Sequence, residues 1–226
     1  YENYQLNMKT IVEILAFWIL PLALIIEYHL WSSISWATYD FIFYVITVPA
    51  LATYIIVATG AGWLKLWGFN LNYTIKNVPI QIGLIYSSVI NILLLIFSEL
   101  LSPPSSFTFT VITVILMTIF GAILGSLYDF FIVHYRILEV YIKPFYKGEK
   151  SIKIVSAYAP WFFGLMGLAS GLSVKFGEYL LIEKNNTISL EVVTMVGILI
   201  IYAPFLIYFL FIIEHKRRKS ESRNNV

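Results

Sequence analysis

Two acidic residues in the first apolar stretch have the spacing of a polar path through a membrane. Glu13 and Glu27 are 14 residues apart, which is about 40° short of whole turns on an α-helix. Their carboxylates therefore lie on nearly one face, about 21 Å apart along the axis. Ionisable groups at membrane depth usually face the protein interior or a cavity, so these two acids are candidates for such a path. The alternative is that each acid lies at a membrane–water interface.

A second candidate group follows a long apolar stretch near the middle of the chain. Asp129 comes after an uncharged stretch of 22 residues and is followed by His134 and Arg136. On a continuous helix Asp129 and Arg136 would be nearly in line, about 10.5 Å apart in rise. These three residues would bind a proton or an ion at the cytoplasmic mouth of a path through the membrane. Together with Glu13 and Glu27 they make up the candidate polar path. A helix end with snorkelling side chains produces the same pattern.

Acidic residues also recur where the predicted membrane helices reach the opposite side. Oxygen ligands suit hard cations and imidazole suits borderline ones, so these acids, with His29, would form an outer acidic rim that attracts cations. Two residues on a helix separate side chains by about 200°, so Glu27 and His29 cannot point at one centre. Solvated helix ends would produce the same distribution. The acids are Glu27, Asp40, Glu99 and Glu178.

The residue types present exclude several kinds of chemistry. The chain has no cysteine, which excludes disulfides, thiolate catalysis, iron–sulfur clusters and thiolate zinc sites. No nucleophile with a neighbouring base, no metal-ligand set and no phosphate-binding loop is recognisable. The sequence therefore predicts no catalytic, cofactor-binding or metal residues, leaves any cofactor unknown, and favours a protein that is not an enzyme.

Composition indicates that these residues belong to a membrane protein. Of the 226 residues, 59% are hydrophobic and 12% are charged, against about 25% charged in soluble domains. Uncharged intervals of 24, 22, 29, 21 and 22 residues recur, and about 20 apolar residues cross a bilayer as a helix. The prediction is an all-α polytopic membrane protein, a bundle of six transmembrane helices with short loops in one domain of residues 1–214. The six spans are about 10–30, 40–63, 78–99, 107–132, 154–175 and 190–213.

The distribution of lysine and arginine predicts the orientation. With six spans, thirteen basic residues lie on the side of both termini and two lie on the other side. Because cytoplasmic loops carry the excess of basic residues, both termini are predicted to be cytoplasmic, with residues 215–226 as a basic tail. The inner connection contains Arg136, Glu139 and Lys143 at three- and four-residue spacing, which predicts a helical extension of the fourth span.

Two further patterns predict contacts between the spans. Gly121 and Gly125, and likewise Gly167 and Gly171, are four residues apart, the spacing that lets two helices approach closely. The fourth and fifth spans are therefore expected to pack together. Polar side chains deep in the third span are expected to bond across helices. These side chains are Gln81, Ser87, Ser88 and Asn91.

The sequence favours a transport path for a cation or proton, or an integral subunit of a larger membrane complex. The expected partners are the lipid bilayer and other membrane subunits. No nucleic acid is expected, because the basic residues follow the membrane topology. The alternative is a membrane enzyme acting on a lipid or quinone at the cytoplasmic face, with Asp129, His134 and Arg136 binding the headgroup. The predicted location is the cell membrane.

Overall fold

The computed structural model describes residues 2–97, 107–184 and 188–224. Side chains are described over 8–97, 108–184 and 188–210. Within these ranges the chain is mostly helical. Glu99, one acid of the predicted outer rim, lies outside the described residues.

Long helices alternate with two structured connections. The helices are α1 Glu2–Ile14, α2 Leu20–Ser33, α3 Tyr39–Val57, α4 Ile82–Ile96, α5 Phe107–His134, α6 Lys143–Tyr146, α7 Ser151–Ser156, α8 Ala159–Glu178 and α9 Leu190–Asn224. A π-helical segment, Leu15–Ile19, joins α1 to α2; Ala58–Trp63 extends α3 and Tyr179–Glu183 extends α8. The strands are β1 Trp67–Phe69, β2 Thr74–Ile75, β3 Val78–Pro79 and β4 Leu138–Val140. Strand β1 pairs antiparallel with β4, and β2 pairs antiparallel with β3.

Five helical segments of the described chain are long and apolar enough to cross a membrane. They are Met8–Ser33, Tyr39–Trp63, Thr108–His134, Ala159–Glu183 and Leu190–Leu210. Helix α4 has 15 residues, about 22 Å at 1.5 Å per residue, against about 30 Å of hydrocarbon. By length and composition the chain is therefore suited to be a helical integral membrane protein, and its described residues contain five full-length spans where the sequence predicts six.

The fifth predicted span is displaced along the chain. The predicted span ends at Lys175 because that residue is charged, whereas the helix continues through Glu178 to Glu183. The Nζ of Lys175 lies 2.7 Å from the Oε2 of Glu178, and both side chains are buried. Because the two charges are paired inside the bundle, Lys175 does not mark the end of the helix.

The prediction of a helix extending beyond His134 is wrong. Helix α5 ends at His134, and the chain then forms strand β4, which pairs with β1. Arg136 has a φ of 55°, a left-handed conformation that ends a right-handed helix. Arg136, Glu139 and Lys143 therefore do not share a helix face. Their spacing favours a helix locally, and the pairing with a distant strand overrides it.

The two structured connections lie together at one end of the bundle. Residues 64–81 carry β1, β2 and β3, residues 135–158 carry β4, α6 and α7, and the β1–β4 pairing joins them. The hydroxyl of Tyr73 donates to Oε1 of Glu13 at 2.9 Å, which holds the N-terminal helix at the same end. We call this the basic end, because it carries eight of the described lysine and arginine side chains. They are Lys9, Lys65, Lys76, Arg136, Lys143, Lys147, Lys150 and Lys153.

Helices α5 and α8 pack through their glycines. A Cβ on Gly121 would lie 3.0 Å from the carbonyl oxygen of Phe163 and 3.3 Å from the Cα of Gly167. A Cβ on Gly167 would overlap the backbone carbonyl of Met117, and one on Gly171 would also meet the backbone of α5. The predicted close packing of these two spans is therefore confirmed, since only glycine permits this approach.

A buried hydrogen-bond network joins α2, α3 and α4. The Nε1 of Trp31 donates to Oδ1 of Asn91 at 2.9 Å, and the Nδ2 of Asn91 donates to the carbonyl oxygen of Val45 at 3.0 Å. The hydroxyl of Ser87 donates to the carbonyl oxygen of Ile46 at 2.6 Å. Ser87 and Asn91 therefore bond across helices, as predicted, and fix α4 against its neighbours.

Candidate functional site

A cavity of about 520 Å³ opens at the basic end, where the helices meet strands β1 and β4. Its walls are mainly apolar and include the rings of Trp67, Tyr86, Tyr158 and Phe162. Among the described residues that line it, the only charged one is Asp129. Ligand sites are typically cavities of about 300–1,000 Å³ with apolar walls and a few polar groups. This cavity is therefore the candidate functional site.

Asp129 supplies a carboxylate inside the cavity. The residue is 2% exposed, and its Oδ2 accepts a hydrogen bond from the hydroxyl of Tyr158 at 2.5 Å. Its Oδ1 is buried and has no hydrogen-bond partner among the described residues. A buried polar atom without a partner costs free energy. The geometry thus leaves one oxygen available to a proton or a bound cation.

Tyr158 holds this carboxylate from the start of α8. The residue precedes the membrane-spanning segment Ala159–Glu183. Burial raises the pKa of the Tyr158 hydroxyl well above its usual value of 10.0, and the charge of Asp129 and the hydrogen bond to it raise that pKa further. The hydroxyl therefore stays protonated at neutral pH and remains a donor to Asp129.

A smaller cavity of about 40 Å³ lies between α4, α5 and α8. Tyr86 lines both cavities, and its ring stacks on Phe163 with a centroid separation of 5.7 Å. The Oη of Tyr128, which also lines the smaller cavity, is buried without a hydrogen-bond partner among the described residues. A water molecule occupies about 30 Å³. The ring of Tyr86 is part of the wall of both cavities.

Glu13 and Glu27 lie outside both cavities. Glu13 bonds within the basic end, as described above, and Glu27 is buried and accepts a hydrogen bond from Ser88 at 2.5 Å. Ser88 is two residues from Tyr86 on α4, so these side chains lie about 200° apart around the helix. Helix α4 therefore separates Glu27 from Asp129. The residues of the predicted polar path are not brought together in one place.

His134 and Arg136 are exposed at the end of α5 and do not line the cavity. The ring of His134 stacks on Phe130 at 5.7 Å, and the backbone carbonyl of Arg136 accepts a hydrogen bond from Nδ2 of Asn70 at 3.0 Å. Five residues along a helix rotate the side chain by about 140°, which turns His134 away from Asp129. The predicted headgroup site of these three residues is likewise not assembled, since only Asp129 belongs to the cavity.

The acids of the predicted outer rim have separate surroundings in the described chain. Asp40 lies in the first turn of α3, where a carboxylate interacts favourably with the helix N-terminus. Glu178 is buried against Lys175 rather than solvated. Glu27 is buried whereas His29 is exposed, so they share no centre, as the spacing predicts. No group of three His, Asp or Glu side chains in the described ranges is arranged to hold a metal ion.

Sequence reasoning identified Asp129 but missed the residues around it. Tyr158 is 29 residues further along the chain, and Trp67 comes from strand β1. Aromatic residues make up 17% of the sequence, so their type alone carried no signal. The available signal was that Asp129 has no oppositely charged residue three or four positions away, which indicates a partner from elsewhere in the fold.

Comparisons with protein-family models, with curated proteins and with solved structures find no match to this chain. The proposal that follows rests on the cavity and on the residues that line it.

Proposed function

We propose that this chain is an integral membrane protein that provides a path for a cation or a proton, with Asp129 as its binding group. The observation that carries the proposal is the buried carboxylate, bonded through one oxygen to Tyr158 and unbonded through the other. An ionised carboxylate in apolar surroundings costs several kcal/mol unless a positive charge joins it. A proton or a bound cation would neutralise the carboxylate and remove this cost. Intramembrane carboxylates commonly relay protons and bind ions in this way.

The proposed path follows the two adjoining cavities along the contact of α4, α5 and α8. The larger cavity opens at the basic end, the smaller one lies between α4, α5 and α8, and Tyr86 lines both. Gly121, Gly125 and Gly167 line the smaller cavity, at the close contact of α5 with α8. Rotation of the Tyr86 ring would connect the two cavities, which makes this residue the gate of the proposed path.

The proposed topology has six spans, with both termini and the basic end in the cytoplasm at the cell membrane. Because β4 follows α5 and pairs with β1, α5 ends at the basic end and begins at the opposite end of the bundle. Helix α4, which follows β3, must then carry the chain away from the basic end. The excess of basic residues on cytoplasmic loops favours this orientation. The tail of residues 215–226 would lie on the same side.

Labelling of single cysteines tests this topology. The chain has no cysteine, so each introduced one is a unique target for a membrane-impermeant maleimide. Lys147→Cys is expected to react only from the cytoplasmic side and Ser189→Cys only from the other side, because they lie at opposite ends of the bundle. Ser220→Cys in the tail should match Lys147→Cys. Reaction of Lys147→Cys and Ser220→Cys from opposite sides would contradict six spans.

Ion flux into proteoliposomes tests the function. The wild-type protein is expected to move protons or Rb⁺ under an imposed gradient, as followed with a pH-sensitive dye and a tracer. Asp129→Asn should lower the rate to that of protein-free liposomes, because a neutral amide neither takes up a proton nor balances a cation. Circular dichroism and gel filtration of the purified variant check that it is folded.

The matched control for this measurement is Glu27→Gln. Glu27 is also a buried carboxylate of the bundle, but it lies on the other side of α4 from the cavity, so this variant should keep the wild-type rate. A wild-type rate in Asp129→Asn would contradict the proposed function. An equal loss in Glu27→Gln and Asp129→Asn would contradict a path confined to the two cavities.

A further inference from the structure

The walls around Asp129 have the chemistry of a site for organic cations. Trp67, Tyr86 and Phe162 present aromatic rings to the cavity, and the rings of Trp67 and Phe162 are 5.8 Å apart at 78°. Aromatic faces attract cations, and cages of such rings are the usual site for substituted ammonium groups. The described lining residues include no lysine, arginine or histidine. A positive charge beside Asp129 would therefore meet one carboxylate and several ring faces, with no described basic side chain in the lining.

The same walls are poorly suited to a hard divalent ion. Hard cations such as Ca²⁺ and Mg²⁺ take about six or more oxygen ligands, and the cavity offers a single carboxylate. The hydroxyl of Tyr158 is already donated to Asp129, and that of Tyr141 is donated to Glu139 at 3.3 Å. Besides that carboxylate, the described lining side chains offer such an ion only the neutral phenol oxygens of four tyrosines. A substituted ammonium group is better matched, because its carbon substituents pack against the aromatic walls.

The mouth of the cavity indicates the direction from which a ligand arrives. Two of the lining residues are large and exposed: Trp161 is 82% exposed and Tyr208 is 44% exposed. Trp161 is two residues inside the start of the span Ala159–Glu183, and Tyr208 is six residues before Glu214, the first charged residue after the apolar part of α9. Tryptophan and tyrosine at span ends are typical of the membrane–water interface. The mouth thus lies at the level where amphiphiles are concentrated.

We propose that the ligand of this cavity is an amphiphilic organic cation, a substituted ammonium group on an apolar body, which reaches Asp129 from the membrane interface between Trp161 and Tyr208. This inference rests on the proposed function, because it names the class of cation that the path carries. The ammonium group would lie beside the carboxylate of Asp129, and the apolar body would occupy the aromatic part of the cavity. A volume of about 520 Å³ is within the usual range for small-molecule sites.

Binding of a small aromatic ammonium ion to the purified protein in lipid nanodiscs tests the inference. Phenyltrimethylammonium is the probe, and tert-butylbenzene, its uncharged carbon analogue, is the control for apolar binding. Tryptophan fluorescence reports occupancy, because Trp67 and Trp161 line the cavity. The ammonium ion is expected to bind at least about tenfold more tightly than the carbon analogue, a difference of about 1.4 kcal/mol. Excess K⁺ should not displace it.

Two variants assign this preference to the cavity. Asp129→Asn is expected to bring the dissociation constants of the two probes together, while the carbon analogue still binds. Glu149→Gln removes a carboxylate of the basic end that does not line the cavity and should keep the wild-type preference. Equal affinity of the wild-type protein for both probes would overturn the inference, whether or not Asp129→Asn folds.

Comparison with the flux measurement separates a failure of this inference from a failure of the proposed function. Flux of Rb⁺ or protons that depends on Asp129, without binding of the ammonium probe, would overturn the ligand class and leave the path intact. Preferential binding of the probe without any flux, including flux of the probe itself, would support the ligand class and contradict transport. Absence of both binding and flux would overturn both.

Discussion

Glu178→Leu is expected to destabilise the protein by about 3–5 kcal/mol, the usual cost of removing one partner of a buried ion pair. In the wild-type protein the Nζ of Lys175 lies 2.7 Å from the Oε2 of Glu178, and both side chains are buried within α8. The variant removes this carboxylate from beside a buried ammonium group. The free energy of unfolding, measured by titration with sodium dodecyl sulfate and followed by tryptophan fluorescence, should show the loss.

The double variant Lys175→Met/Glu178→Leu is expected to recover most of that loss. Apolar side chains of similar volume remove both charges at once, and replacing a buried ion pair in this way is often neutral or stabilising by about 1–4 kcal/mol. A double-mutant cycle of the wild type, the two single variants and the double variant gives the coupling energy, which measures the interaction of the pair apart from the other effects of each substitution. A double variant as unstable as Glu178→Leu would contradict the view that the loss of stability comes from a buried charge without its partner.

The chain offers an exposed ion pair as a matched control. The Nζ of Lys153 lies 2.9 Å from the Oε2 of Glu149, with both side chains accessible to solvent. Exposed pairs at this spacing contribute about 0.3–0.5 kcal/mol, so the Glu149→Leu variant should change the unfolding free energy by less than about 1 kcal/mol. If Glu149→Leu destabilised the protein as much as Glu178→Leu, burial of the ion pair would not explain the destabilisation in Glu178→Leu.

Gly167→Ala is expected to be the second strongly destabilising change, by about 1–3 kcal/mol or more. A Cβ at this position would overlap the carbonyl oxygen of Met117 and lie 2.7 Å from its carbonyl carbon. Both atoms belong to the backbone of α5, so no rotamer change relieves the contact. The helices must move apart, and the close contacts along their glycines are then lost.

Gly164→Ala is the matched control on the same helix. A Cβ there would lie 3.6 Å from the Cβ of Ala122, an ordinary contact distance. Alanine has a higher helix propensity than glycine by about 1 kcal/mol, so this variant should be as stable as the wild-type protein or slightly more stable. Unfolding titrations and gel filtration of both variants in detergent check the pair. Equal stability of Gly167→Ala and the wild-type protein would show that α5 and α8 are not in close contact.

Local patterns predicted several features of this fold correctly. Glycines four residues apart predicted the packing of α5 on α8, because that spacing repeats on one helix face. The polar residues Ser87 and Asn91 were expected to bond across helices, and they do so. Each of these predictions depends only on residue type and on spacing along one helix.

Predictions failed where the surroundings of a residue depend on how the rest of the chain folds around it. The charge of Lys175 predicts the end of a span at that residue. In the structure this charge is paired with Glu178 inside the bundle, and the helix continues. Arg136 and Glu139 were assigned to a helix because their spacing suits one, whereas β4 forms through pairing with a strand some 70 residues earlier. Asp129 stands out in the sequence because it follows a long apolar stretch, but its partner Tyr158 is not identifiable from the sequence.

By itself, the sequence determined which segments are apolar enough for a bilayer and which helix faces carry small or polar residues. It could do so because the transfer free energy of a segment is largely a sum over its own residues. Only the tertiary structure decided which ionisable groups are buried, which are paired, and which one opens into a cavity. Those properties arise from contacts between α4, α5, α8 and β1, and the residues that meet there are far apart in the chain.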